Sequence, residues 1–540
     1  MTIRMSRRNL LQRTGILLTA SSLWPAQRQR TPAPIPATSQ ALPEHPNLLF
    51  IITDQERYPR WWPAGWAATN LPNRQRIAAN GLTFTQAFCN SCMCSPSRST
   101  LFTGLYPAQH GVEHTLTTGG TLSASEPKLP LTIQNMAKML ASAGYNVHYR
   151  GKWHMSKGSD GGDPSSSDVA AYGFNGWVPP EAGEDTDPNN FGGGCANRDA
   201  AYATQAADFL SNADPNAATP FALIVSFANP HDVLAYPRSW DQQDDSDPNC
   251  FNYKGNAPDC FNQGIGLPDT YTESLTNNFK PTTHAQTLNY LAVGLGTLLG
   301  PKDPERYVNF YAFLQKVVDQ HMGTVLDALE AKAGLKEKTV IIRMADHGEL
   351  GLAHGGLRQK MFNAYEETMN VPLVIANPLL FPQPATTNAL ASLIDILPTL
   401  ATLANVPNRQ QWTFKGRDLT PLLTDPAAAV QDAVLFTFDD QNAGAKNGQN
   451  VVTQPNHIRC LREAQWKFAM YLDPTGATTS QYELYDLVND PTELHNLANA
   501  ENTAYYNPTK VAEMQAKLAT KMVETGTLPY YVALPLVTKE

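Results

Sequence analysis

Six short stretches of this chain carry side chains that chemistry could use. Cys94-Ser95-Pro96-Ser97-Arg98 sets a thiol two residues before a proline and four before an arginine, then runs through Leu101 to Thr103-Gly104. A lone cysteine is most often a core residue. To act as a nucleophile it needs a lowered thiol pKa or a modification, a nearby cation, and an acidic cluster elsewhere in the chain. Asp54-Gln55 and Asp346-His347 offer the oxygen and imidazole ligands that divalent cations collect, although isolated strand-end acids usually serve as caps and turn formers. Gly151-Lys152-Trp153-His154, Asn229-Pro230-His231-Asp232, and Lys360 ahead of Tyr365-Glu366-Glu367 add cations and acid–base groups. In a chain of formal net charge −9, positive charge gathered into such motifs says more than the total.

Four of these stretches follow apolar runs. Asp54 closes the run Asn47 to Thr53, and Lys152 follows a strand through Tyr145, Val147 and Tyr149. Asn229 follows Phe221 to Phe227, and Asp346 follows Thr339 to Ala345. Continuous apolar runs suit strands buried on both faces of a parallel sheet, and functional groups of open α/β sheets lie just past the carboxyl ends of their strands. Helical patterns alternate with them: residues 72–80, Leu131 to Ala143 stopped by Gly144, and the amphipathic Tyr307 to Leu329 with Phe310, Phe313, Leu314, Val317, Val318 and Met322 to one side. Leu373 to Ala376 is a further strand. The alternation predicts an α/β fold with a large, mostly parallel sheet sandwiched by helices. Residues 155–195 and 236–285 have no period and read as loops, and Leu288 to Gly300 as a core helix. From about residue 430, short strands such as Ala433 to Phe438 and Trp466 to Tyr471 lack helical crossovers, which predicts a smaller antiparallel domain with a terminal helix, Lys510 to Val523.

The cysteine stretch resembles the sulfatase signature, in which Cys-x-Pro-Ser-Arg is followed at fixed spacing by Thr-Gly. The Gly-Lys-Trp-His core resembles the family's second signature, Pro230-His231 its Pro-His element, and Lys360 with Tyr365-Glu366-Glu367 its Lys-x-x-x-x-Tyr-Glu-Glu element. The tail from Glu483 to Ala498 resembles the Glu-Leu-Tyr-Asp-Leu segment common in sulfatases. The resemblance spans residues 46–498 in separated blocks and implies an arylsulfatase-like, type I enzyme with the alkaline phosphatase-like fold. It implies that Cys94 becomes formylglycine through a maturation enzyme, and that the aldehyde hydrate attacks a small-molecule or saccharide sulfate ester. Arg98, Lys152, His154, His231 and Lys360 are then catalytic, with Asp54, Gln55, residue 94, Asp346 and His347 around one divalent metal. Gln55 and His347 depart from the commonest pattern, Asp-Asp and Asp-Asn. They resemble instead the choline sulfatases and phosphonate monoester hydrolases, which makes calcium the expected ion with manganese as the alternative. The rival readings are a phosphonate monoesterase or phosphodiesterase on the same fold, and a non-catalytic sulfate- or glycan-binding homologue.

Residues 1–30, with Ser6-Arg7-Arg8-Asn9-Leu10-Leu11 ahead of a modest apolar run, read as a twin-arginine export signal, and residues 31–43 as a linker. This predicts export through the twin-arginine machinery to the periplasm or exterior of a bacterium. No later run reaches a membrane span, and the acidic balance excludes nucleic acid as a partner. Residues 44–430 make the predicted catalytic domain and 431–540 the smaller one. An oxidising destination permits disulfides, and Cys250 with Cys260 would close a short loop. Cys89-x-x-Cys92 lacks a second pair at zinc spacing and reads as structural. Trp61, Trp62 and Trp66 could stack on an aryl or sugar ring or form a buried cluster. His354 is open between a structural and a site role.

Overall fold

The computed structural model describes residues 42–116, 128–158, 161–183, 186–244, 247–446 and 449–529. The twin-arginine segment and all but the end of the linker lie outside the described residues. The apolar run of the first strand, β1 (Asn47–Asp54), is buried throughout. It is an interior strand of a seven-stranded sheet with β2 (Gly81–Phe84), β3 (Asn146–Gly151), β4 (Phe221–Pro230), β5 (Thr339–Ala345), β6 (Leu373–Ala376) and β7 (Ala385–Thr387). The order is β3-β4-β1-β5-β6-β2-β7. Leu48 pairs with Ala222 of β4 and Val340 of β5, both parallel, and β3 runs parallel to β4. Four strands therefore end on the same side of the sheet, and their ends deliver Asp54, Lys152, His231 and Asp346.

Side chains alternate across β1, so each face meets its own layer. Leu49 and Ile51 pack with Tyr202, Ala206 and Leu210 of α4 (Arg198–Asn212) and Val318, Met322 and Val325 of α6 (Asp303–Ala331). Leu48, Phe50 and Ile52 share the other core with α2 (Cys94–Thr103), α3 (Met136–Ser142) and α7 (Ile396–Leu403). The remaining longer helices are α1 (Pro72–Ala78), α5 (Thr282–Leu295) and α8 (Pro508–Thr525).

β6 runs antiparallel to both neighbours, β5 and β2. A parallel return needs a crossover of a dozen or more residues, usually helical. Between Ala345 and Leu373 the chain forms no crossover helix, only the short turns Ala353–Gly356 and Glu366–Met369, and β6 pairs antiparallel with β5. The sheet is mixed but mostly parallel, as expected.

The C-terminal sheet, β8 (Ala433–Phe438), β9 (His457–Glu463), β10 (Trp466–Leu472) and β11 (Gln481–Asp486), is antiparallel in that order. Met514, Leu518 and Met522 of α8 close its apolar face. Both sheets belong to one compact unit.

Three expectations need correction or resolution. Cys250 pairs with Cys195, 55 residues away, rather than with Cys260. Asn252 Oδ1 accepts the Cys195 N–H at 3.2 Å and brings the two loops together, while Cys260 turns into an apolar cluster with Trp66, Tyr236 and Phe310. The helix expected at Leu288 to Gly300 starts earlier and stops at Leu295; Leu291 is buried, but Val293 and Leu299 are exposed. Trp62 and Trp66 pack with ring centroids 4.7 Å apart, Trp66 within that cluster and Trp62 against it, which favours the cluster reading. No helix among the described residues is long and apolar enough to cross a membrane.

Candidate active site

Cys94 opens α2, whose ten residues are all buried. Its Sγ lies 3.1 Å from His347 Nε2 and 3.6 Å from Asp54 Oδ1. One turn along, Arg98 pairs with both strand-end acids: Nη2 is 3.3 Å from Asp54 Oδ2 and Nε 2.9 Å from Asp346 Oδ2. Its other nitrogen donates to the Lys152 carbonyl at 3.0 Å and Ser226 Oγ at 2.8 Å, so one guanidinium joins α2 to the ends of β1, β3, β4 and β5. Lys152 Nζ also pairs with Asp54 Oδ2. Ser97 Oγ donates to the Asp346 carbonyl at 2.5 Å, which fixes helix against strand end.

Sharp backbone turns aim these buried groups at the site. Gly151 has φ +96°, and a Cβ there would lie 1.9 Å from the Ser226 carbonyl oxygen, so no larger residue fits. Past it, Trp153 N–H and His154 N–H donate to the two oxygens of Glu181 at 2.7 and 2.9 Å. The His154 ring bonds the Leu116 carbonyl at 2.5 Å through Nε2 rather than residue 94, and its buried Nδ1 has no hydrogen-bond partner among the described residues. His231, at the end of β4, likewise has a buried, unpartnered Nδ1. Its neighbour Asp232 accepts from Gly192 N, Gly193 N and the Tyr253 hydroxyl, at 3.1, 2.9 and 2.5 Å. Gln55 Oε1 accepts from Lys360 Nζ, and Gln55 Nε2 donates to Glu349 Oε2 at 2.5 Å. Glu349 Oε1 takes the Tyr307 hydroxyl at 2.9 Å and the Gly351 and Gln359 N–H groups at 3.0 Å.

The charges bias one another. Burial alone would raise the Asp54 carboxyl, but Lys152, His231, Arg98 and His347 outweigh it and hold it well below the usual range. Burial and Asp54 push the Cys94 thiol up, Lys360, Lys152 and His347 pull it down, and the balance lies below the ordinary value. Burial, then Lys152, press His154 well below its usual pKa, and burial, Lys152 and Lys360 do the same to His231, leaving both neutral. Burial opposes protonation of His347, yet Asp346 and Cys94 raise it.

The catalytic and metal-ligand candidates, Asp54, Gln55, Cys94, Arg98, Lys152, His154, His231, Asp346, His347 and Lys360, lie in this one region. Ligand atoms of Asp54, Cys94, Asp346 and His347 all fall within 4.8 Å of one another, all buried. Two fully buried carboxylates, an imidazole and the Gln55 amide beside them suit a divalent cation of the calcium or manganese kind, so the residues present fit the expected metal. Sequence reasoning gave no role to Glu181, Asp232, Ser226 or Glu349. Asp232 and Glu349 adjoin motif residues, which was signal enough to find them; Glu181 lies in an aperiodic loop and left none.

The sulfatase family model matches residues 46–406, and the model of the N-sulphoglucosamine sulphohydrolase C-terminal region matches residues 354–525. The ulvan-active sulfatase of Formosa agariphila is 26% identical over 496 residues, 90% of this chain and 82% of that protein. A solved 2-O GAG sulfatase superposes with TM-score 0.65 at 22% identity, covering 89% of this chain and 93% of its own. The phosphonate monoester hydrolase of Agrobacterium radiobacter superposes with TM-score 0.60 at 21% identity, covering 89% and 96%. With two thirds of its length matched by that model and its motifs converging at one site, the chain belongs to the sulfatase family.

Proposed function

We propose that this sulfatase hydrolyses sulfate esters to an alcohol or phenol and inorganic sulfate, with residue 94 acting as formylglycine. The observation that carries the reading is the position of Cys94, its Sγ 3.1 Å from His347 Nε2 on a helix whose Arg98 pairs with both Asp54 and Asp346. Converted to formylglycine, residue 94 supplies a hydrated aldehyde, with one hydroxyl to attack sulfur and a second to expel sulfate. Asp54, Gln55, Asp346 and His347 would hold the metal, calcium by their oxygen-rich character and manganese as the alternative; bound there, it would polarise an ester oxygen as a Lewis acid.

The chain's own groups do the rest. Arg98 aims its guanidinium at Asp54 and Asp346 beside residue 94 and ties both to α2. Lys152 and Lys360 offset negative charge on the ester oxygens, an electrostatic contribution that grows where water is excluded. His231 is held neutral by burial and both lysines, so it donates a hydrogen bond to the leaving oxygen while the Lys360 ammonium supplies the proton. The free Nδ1 of neutral His154 is the base that takes a proton when the intermediate breaks down. Intact mass of protein made with a formylglycine-generating enzyme tests the first requirement. The mature chain should lack one sulfur and two hydrogens and carry one extra oxygen, and Cys94→Ala should abolish turnover without unfolding the protein. An unmodified thiol, or near-normal turnover by the variant, would refute the reading.

A second reading is favoured by Gln55 and His347. The Asp-Gln and Asp-His pairs resemble the phosphonate monoester hydrolases as much as the choline sulfatases, and a phosphonate monoester hydrolase is among the structural neighbours. Relative rates on matched esters separate the two. Export through the twin-arginine machinery to the periplasm or exterior follows from residues 1–30, and the Cys195–Cys250 disulfide supports an oxidising destination. We assign residues 44–430 to the catalytic domain and 431–540 to the smaller one.

A further inference from the structure

A cavity of about 270 Å³ opens directly onto His231 and Lys360. Met93, Leu234, Tyr290, Leu291, Leu295 and Met361 give it a mainly apolar lining, interrupted by the polar side chains of Thr115, Thr186, Gln359, Asn442 and Asp440. Three of these wall residues, Tyr290, Leu291 and Leu295, come from α5, which lies in the stretch where the family motifs are silent. The helix is held firmly. Leu291 is in the core, with Tyr290 and Leu295 packed against it. The Tyr290 hydroxyl donates to the Ala445 carbonyl at 3.3 Å, and Arg358 donates to the Leu291 carbonyl at 3.1 Å. At the other end, His284 meets the Tyr471 hydroxyl at 3.0 Å.

From this cavity we infer that the ester's leaving group is an uncharged aryl group of one or two rings, seated between α5, Leu234 and the two methionines. The inference rests on the sulfatase reading and narrows it. Volume is the first argument: about 270 Å³ lies at the small end of ligand pockets and houses one compact group, so the rest of a longer chain would lie outside it. Chemistry is the second. Two thioethers and a tyrosine ring make favourable contacts with an aromatic face or edge, and the leucines contribute only by excluding water. Charge is the third. A sulfated polysaccharide brings further sulfates or carboxylates, which need arginines or lysines of their own. No arginine lines this cavity among the described residues, and its lysine, Lys360, is taken up by Gln55 and the reaction. Asp440, a buried lining residue, is held by the Thr115 N–H at 2.7 Å and by His114 at 3.2 Å. Residues 117–127 and 184–185, which adjoin Thr115 and Thr186 in the chain, contain no Lys or Arg.

The test uses full-length mature protein carrying the aldehyde at 94. It compares kcat/KM on 2-naphthyl sulfate and 4-nitrophenyl sulfate with that on a monosulfated, uronate-containing disaccharide. The aryl esters should be preferred by at least a hundredfold. Leu295→Ala should raise KM for 2-naphthyl sulfate about tenfold, the order expected for apolar pocket contacts. It should leave kcat and the inhibition constant of inorganic sulfate within about twofold, because sulfate binds at the other end of the site. Leu295→Met, which keeps the bulk, should restore KM. A disaccharide turned over as well as the aryl esters would overturn the inference and leave the sulfatase reading standing, as would a Leu295→Ala variant with unchanged KM. Failure of every sulfate ester, with turnover of an aryl phosphonate, would overturn both.

Discussion

Raising the pH through 9 should remove a definite part of this protein's stability, and one histidine should account for it. His354 is 1% exposed, with Nδ1 2.9 Å from Glu273 Oε2 and Nε2 3.3 Å from Glu367 Oε2. Its ring stacks on Tyr365 at 3.5 Å between centroids. Lys280 pairs with Glu273 at 3.1 Å, and Trp61 Nε1 donates to Glu367 at 2.8 Å, so each carboxylate is held from a second side. Burial opposes the imidazolium, but Glu367 and Glu273 overcome it and raise His354 to about 9, against an ordinary 6.5. In the folded state the proton therefore stays on across a pH range where the unfolded chain loses it. The stabilisation is complete below pH 6.5 and is lost as pH rises through about 9. Its size is on the order of 3 kcal/mol. Urea unfolding at intervals from pH 6 to 10 measures it, with His354→Gln as the reference that cannot take up the proton. The wild type should lose ~3 kcal/mol more than the variant across that window. Parallel pH curves for the two proteins would show that the histidine is neutral in the fold, and the ion-pair account of this region would fail.

Four further perturbations follow from other contacts in the fold. Glu349→Ala removes the closer of the two acceptors of the Gln55 amide and leaves it Gln359 Oε1 at 3.3 Å; metal affinity measured by calorimetry should fall by about 10–100-fold, with kcat/KM following. Glu181→Gln replaces a carboxylate that takes two backbone N–H groups, so the Lys152-Trp153-His154 turn loosens at a cost of about 1.5–3 kcal/mol. The corresponding fall in kcat on an aryl sulfate, with KM little changed, checks it. Replacing Cys195 and Cys250 by alanine frees a loop closed over 55 residues and should cost ~4 kcal/mol, read as a lower unfolding midpoint. Cys260→Ala, in contrast, should leave the disulfide content unchanged by free-thiol titration.

The central strands were legible because burial on both faces demands uninterrupted apolar runs, and Asn47 to Thr53, Phe221 to Phe227 and Thr339 to Ala345 supply them. Their ends then told where the site must lie. Strand direction was not legible at Leu373 to Ala376, since four apolar residues look alike read either way; the short turns before them set the antiparallel course. Cys195–Cys250 was hidden because both residues lie in aperiodic loops, where proximity depends on single contacts such as Asn252 Oδ1 to Cys195 N–H. Glu181 was hidden for the same reason. His354 could not be decided from Ala-His-Gly alone, because its role comes from Glu273 and Glu367, which no local spacing links to it.

The account stands or falls on the chemistry at residue 94. Its most direct test is the ratio of kcat/KM for 4-nitrophenyl sulfate to that for the matched phenylphosphonate monoester, on one preparation of the aldehyde-bearing protein. The account predicts that the sulfate ester is the better substrate and that Cys94→Ala turns over neither. A sulfate ester slower by orders of magnitude would contradict it and establish the phosphonate reading instead.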